Sequence, residues 1–218
     1  MMGDNNEYAI RGAVITAVTL FGGILAGFIF VEIVSSFAPN TDFDELPISI
    51  VLAVMAMHIS GQVVGGAIWG IAMGRLAGMR DRRRFARAGL LGFVPVTAVM
   101  MIGLGVLEQI ILGMANVPIH LVFTGLFVPA AAVIASVTSW TFGRELRDSA
   151  LARRLFWRAG LAAGLAFLLV VLGMDVAGWV VGAPGARARS TMITVTLIGT
   201  LAASLGGGFI VGLELKQQ

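Results

Sequence analysis

Long apolar runs dominate this chain, and arginine clusters separate them. Six stretches, at about 11–36, 47–74, 87–113, 118–142, 159–181 and 191–213, carry few charges or none. Each reaches the roughly 20 residues that a helix needs to cross the hydrocarbon core of a bilayer. A backbone in hydrocarbon must satisfy its own polar groups, which restricts such runs to helices. The expected fold is all-α: a polytopic integral membrane protein with six transmembrane helices in a single domain over residues 1–218. Composition agrees, since 12% of residues are charged against about 25% in soluble domains.

The arginines set the expected direction of each helix. The stretch 75–87, RLAGMRDRRRFAR, holds six arginines, and 144–158 holds five. Short connectors this basic stay in the cytoplasm, because carrying guanidinium groups across a bilayer is costly. With Arg11 and Lys216, thirteen of the fifteen basic residues fall on one side, leaving Arg187 and Arg189 on the other. Both termini are therefore expected in the cytoplasm of a prokaryotic cell, the protein lying in its inner (plasma) membrane. Trp69, Trp140 and Trp157 fall near the arginine-bearing interface and Trp179 near the opposite one, where an aromatic belt would place them. With no soluble basic domain, nucleic acid is not an expected partner. The bilayer is, together with other membrane subunits or further copies of the chain.

Spacing suggests three tandem two-helix hairpins, over 11–74, 87–143 and 158–213. Arg11, Arg87 and Arg158 each open an odd-numbered run. Arg11 to Glu32 and Arg87 to Glu108 both span 21 residues, and Pro47 to Trp69 and Pro118 to Trp140 both span 22. Three such hairpins invite comparison with the mitochondrial carriers, but the Pro-x-[Asp/Glu]-x-x-[Lys/Arg] signature of that family is absent.

Chemistry narrows by exclusion. The chain has no cysteine, which removes thiolate metal sites and cysteine nucleophiles. His58 and His120 differ in depth by about 13 Å at 1.5 Å per residue, too far to ligate one haem. No lysine lies inside a run, and H-E-x-x-H, G-x-S-x-G and Walker A motifs are missing. No catalytic residue, metal or cofactor is expected, and an enzyme is not the favoured reading.

The remaining candidates are polar groups inside the runs. His58 lies eleven residues past Pro47, about 16 Å into the membrane, and Gln62 follows one turn later on the same face. Intramembrane ionisable residues are candidate functional groups; hydrogen bonding to a neighbouring helix is the structural alternative. Glu32, Glu108 and Asp175 sit near the outer ends of the three odd runs. They either reach headgroup water or, if the repeats close into a ring, surround one axis as proton or cation sites. Gly66, Gly70, Gly74 and Gly78 recur every four residues, the pattern of a close helix crossing. Thr196, Thr200, Ser204, Gly208 and Gly212 form a similar stripe in the last run, read as packing or as a hydroxyl-lined solute path with Thr200 at its centre. Two functions follow: a small transport protein, or membrane subunit of a transporter, handling a small solute or ion; or a non-catalytic accessory subunit packed within a larger membrane complex.

Overall fold

A computed structural model describes residues 3–37, 48–113, 119–178 and 186–217. Among them there is no strand. Helix α1 (Gly3–Thr16), a π turn (Ala17–Phe21) and α2 (Gly22–Phe37) form one rod. Helices α3 (Ile48–Leu76) and α4 (Arg82–Gly113) follow. Then α5 (Ile119–Val122), a second π turn (Phe123–Phe127) and α6 (Val128–Glu145) make another rod, succeeded by α7 (Ser149–Val176) and α8 (Ala186–Lys216). Each rod packs on the one before it and the one after it, and α8 packs on α1. The result is a closed up-and-down ring of six rods.

Four segments are long and apolar enough to cross a membrane among the described residues: Asn6–Gly27, Phe123–Glu145, Ser149–Val176 and Ile193–Lys216. The pattern within them is that of a lipid-solvated protein. On α7 the large side chains Trp157, Leu161, Leu165 and Leu169 are exposed, while Ala159, Gly160, Ala163 and Gly164 face the neighbouring helices. Without a hydrophobic drive between helices in lipid, close approach over small residues provides the packing.

Glycine sets the tightest crossings. A Cβ on Gly70 would stand 2.0 Å from the Phe85 carbonyl oxygen, and one on Gly89 would stand 2.0 Å from that of Gly66. Gly74 lies under the Phe85 ring. At the seam of the ring, Gly208 faces Gly12 and Thr16, and Gly212 faces Tyr8 and Ala9. Gly78 does not extend the α3 ridge. It stands at φ +73° past the end of α3, and the Met79 N–H donates to the Gly74 carbonyl at 2.8 Å, which closes the helix end.

The arginine-rich connectors are shorter than the sequence suggests. Asp81 caps α4, its Oδ1 accepting from the Arg84 N–H at 3.1 Å, and Asp148 caps α7 by accepting from the Leu151 N–H at 2.8 Å. Both helices therefore begin inside the basic stretches, and Arg82–Arg84, Arg87, Arg153, Arg154 and Arg158 are helical. Arginine is a good helix former, and an aspartate N-cap supplies the start. Pro95 sits within α4 without ending it. Pro129, which has no N–H to offer the Gly125 carbonyl, directly follows the second π turn, a local change of hydrogen-bond register.

Candidate functional site

The ring encloses a central cavity of about 410 Å³ to which every rod contributes. Thr16, Leu20 and Ile24 line it from the first rod, Trp69 from α3, and Phe93 and Thr97 from α4. Phe127, Ile134, Thr138 and Ser139 come from the fourth rod, and Ala163 and Phe167 from α7. On α8 the lining runs from Ile193 through Thr196, Thr200 and Ser204 to Val211. Among the described lining residues seven carry hydroxyls and none is Asp, Glu, Lys, Arg or His.

Several of these hydroxyls are committed to the protein. Thr16 donates to the Gly12 carbonyl at 2.8 Å and accepts from Trp69 Nε1 at 3.0 Å. Thr97 donates to the Phe93 carbonyl at 2.5 Å, and Thr138 to the Gly92 carbonyl at 3.3 Å. Trp69 is thus an interior residue, 1% exposed, and not the interface anchor that its position near the basic end suggests. The hydroxyl of Thr16, on the facing helix, satisfies the indole N–H and allows that burial. Its counterpart by spacing, Trp140, is on the surface, where Arg144 lies over its ring at 5.0 Å.

An apolar plug separates the cavity from the arginine-bearing end. Trp69 and Phe142 meet edge to face at 5.4 Å, Phe142 and Phe85 lie at 5.4 Å, and Met73, Leu151 and Leu155 fill the layer around them. Beyond it stand ion pairs. Arg84 Nε donates to Glu145 Oε2 at 2.6 Å, and its Nη2 to the Glu145 carbonyl. Glu214, with a side chain only 2% exposed, is held between Arg154 Nε at 3.0 Å and Arg158 Nη1. Val211, one turn from Glu214 on α8, lines the cavity. The two latches recur at almost equal spacing, Arg84 to Glu145 and Arg154 to Glu214. The carboxylates were not singled out in the sequence, since each sits in a basic helix end where a lone acid looks like a solvated charge.

The candidates read from the sequence are not gathered into one place. Thr200 lines the cavity; His58 and Gln62 are not among the lining residues. Both are buried on the face of α3 that carries Trp69, one and two turns further from the arginine-bearing end than Gly65. The His58 imidazole packs against Gly27 of α2, where a Cβ would stand 1.9 Å from Nδ1. Asp175 ends α7, and its Oδ1 is buried without a hydrogen-bond partner among the described residues. The side chains of Glu32 and Glu108 lie outside the described part of the structure, as do Asp42, His120 and Trp179. The stripe on α8 changes role along its length: Thr196, Thr200 and Ser204 face the cavity, Gly208 both lines it and meets α1, and Gly212 meets α1. Among the described residues no cluster of His, Cys, Asp or Glu is suited to a metal ion. No known protein family, curated protein or solved structure matches the chain.

Proposed function

We propose that this protein is a small transport protein, or the membrane subunit of a transporter, that takes a small solute into its central cavity. The observation that carries this reading is the cavity itself: about 410 Å³, reached by all six rods, lined by hydroxyls and aromatic rings. That volume is in the range of small-molecule sites. A subunit that serves only to pack has no use for such a void, because an unfilled cavity costs stability.

In this reading all six rods cross the inner membrane and both termini are cytoplasmic. Helices α3 and α4, 29 and 32 residues long, stand side by side in the same ring as the four apolar segments, which supports six spans. The recurring latches, Arg84–Glu145 and Arg154–Glu214, support a hairpin repeat at least in the second and third units. The plug at Trp69, Phe85 and Phe142 then closes the cavity toward the cytoplasm, and the ion pairs hold the helix ends that must part for release.

The test uses the protein in lipid nanodiscs. Native mass spectrometry should detect a small molecule retained by wild type and lost from Ala131→Phe, which fills the cavity. A wild type that retains nothing, with an Ala131→Phe variant more stable than it, would favour the accessory-subunit reading instead.

A further inference from the structure

The cavity lining is selective in its chemistry, and we infer that its solute is an uncharged, mainly apolar molecule with hydrogen-bond acceptor oxygens along one edge. This inference rests on the cavity being a solute site. Three observations carry it.

The first concerns charge. None of the described lining residues is titratable, so a carboxylate, phosphate or ammonium group would lose its hydration with no counter-charge among them to replace it. A bare ion meets the same cost. Glu214, the nearest acid along α8, is shared by Arg154 and Arg158 and is not among the lining residues.

The second concerns hydrogen-bond polarity. Thr16, Thr97 and Thr138 spend their protons on backbone carbonyls, and the Trp69 N–H is spent on Thr16. Ser139, Thr196, Thr200 and Ser204 make no side-chain hydrogen bond among the described residues. A helical Ser or Thr commonly back-bonds to the preceding turn, so these four stand out. Their O–H groups are the donors that the described lining leaves for a solute's carbonyl, ether or hydroxyl oxygens, while every lining hydroxyl oxygen keeps some capacity to accept.

The third concerns arrangement. Thr196, Thr200 and Ser204 follow one another every four residues on α8, about 6 Å apart along the axis. Phe93, Phe127 and Phe167 come from α4, the second π turn and α7. The site therefore offers a row of donors on one helix and aromatic faces from three others.

A matched set of probes on one skeleton tests this in nanodiscs: butylbenzene, 4-phenylbutan-2-one, 4-phenylbutanoate and 4-phenylbutylammonium. Apparent affinity is taken from ligand-dependent thermal stabilisation. The Ala131→Phe response is subtracted to remove partition into lipid, with Ala135→Phe as the second filled variant should the first not fold. The ketone should bind about two- to tenfold tighter than butylbenzene, the worth of one net hydrogen bond, and the two ions at least about tenfold weaker than the ketone. Thr196→Val with Thr200→Val should erase the advantage of the ketone and leave butylbenzene unchanged. Cavity-specific binding in which butylbenzene equals the ketone, or either ion binds best, overturns the inference and leaves the solute site standing. A ketone advantage that survives the valine pair also overturns it. If none of the four probes gives a signal that the filled variants remove, the solute-site reading fails and the inference with it.

Discussion

Replacing Gly70 by alanine adds one carbon at the crossing of α3 and α4, and the structure sets the cost. The new Cβ would lie 2.0 Å from the Phe85 carbonyl oxygen, 2.8 Å from the Phe85 carbonyl carbon and 3.1 Å from the Gly89 nitrogen. Ordinary contact begins near 3.4 Å, so the helices must part by about 1.4 Å. The atoms in the way are backbone and cannot rotate aside. Parting them also loosens the Gly66–Gly89 contact and the packing of Phe85 on Gly74, and gaps of this width forfeit much of the dispersion attraction. Overpacking of this kind costs about 1–3 kcal/mol. Alanine returns up to about 1 kcal/mol through helix propensity, which leaves a net loss of about 1–2 kcal/mol. Gly173 on α7 has nothing within 4 Å of its would-be Cβ, so Gly173→Ala should be neutral or stabilising by up to about 1 kcal/mol. Denaturation midpoints in detergent, followed by tryptophan fluorescence, should separate the two variants by about 2 kcal/mol. Because Gly89→Ala forces the same parting, the double variant with Gly70→Ala should cost less than the two singles together. A Gly70→Ala protein as stable as Gly173→Ala, or strict additivity with Gly89→Ala, would refute the close-crossing argument.

Three other outcomes are expected. Glu214→Gln should destabilise by about 1–2 kcal/mol, since it removes charge-assisted bonds to two arginines that are themselves half-exposed; Glu145→Gln, in a more exposed pair, should cost visibly less in the same melts, and equal costs would deny Glu214 its special burial. Arg147 holds φ 60° at the end of α6, a conformation that costs a side-chain-bearing residue about 1 kcal/mol, so Arg147→Gly should raise the denaturation midpoint; a lowered midpoint would mean that its side chain contributes more than its backbone loses. Cysteines placed at Asp42 or Gly185 should react with an impermeant maleimide from outside the cell and one at Arg82 should not, external labelling at Arg82 being the result that inverts the proposed orientation.

The all-helical character and the boundary role of the arginines are legible in the sequence, because hydropathy and charge report directly on what a bilayer tolerates. Facing is not. In water a helix shows its buried face by an apolar stripe, whereas here both faces are apolar, and α7 turns Leu161, Leu165 and Leu169 outward and Ala159, Gly160, Ala163 and Gly164 inward. Small-residue spacing is the better guide. It marks Gly66, Gly70 and Gly74 as one edge of α3, and Gly208 and Gly212 as one edge of α8, each of which meets a helix. The inward turn of Trp69 depends on Thr16, 53 positions earlier in the chain, and no local pattern announces it. The cavity is still less legible, since it exists only as the space between six rods. Thr200 could be singled out because its stripe was regular. Ser139, Thr97 and Thr138 belong to no such stripe.

The ring is closed by α8 against α1, and this has a consequence for the order in which the molecule can be built. Most other helix contacts join neighbours in the sequence, so each newly made rod finds a partner already waiting beside it. The last contact joins opposite ends of the chain. Until α8 arrives, the inner faces of the earlier rods, with Thr16 and Trp69 among them, are uncovered on one side, and no closed interior exists. The final helix brings the seam glycines Gly208 and Gly212 and three of the seven lining hydroxyls at once. Completion of the wall and of its polar lining therefore coincide, and the cavity exists only once the last helix is in place.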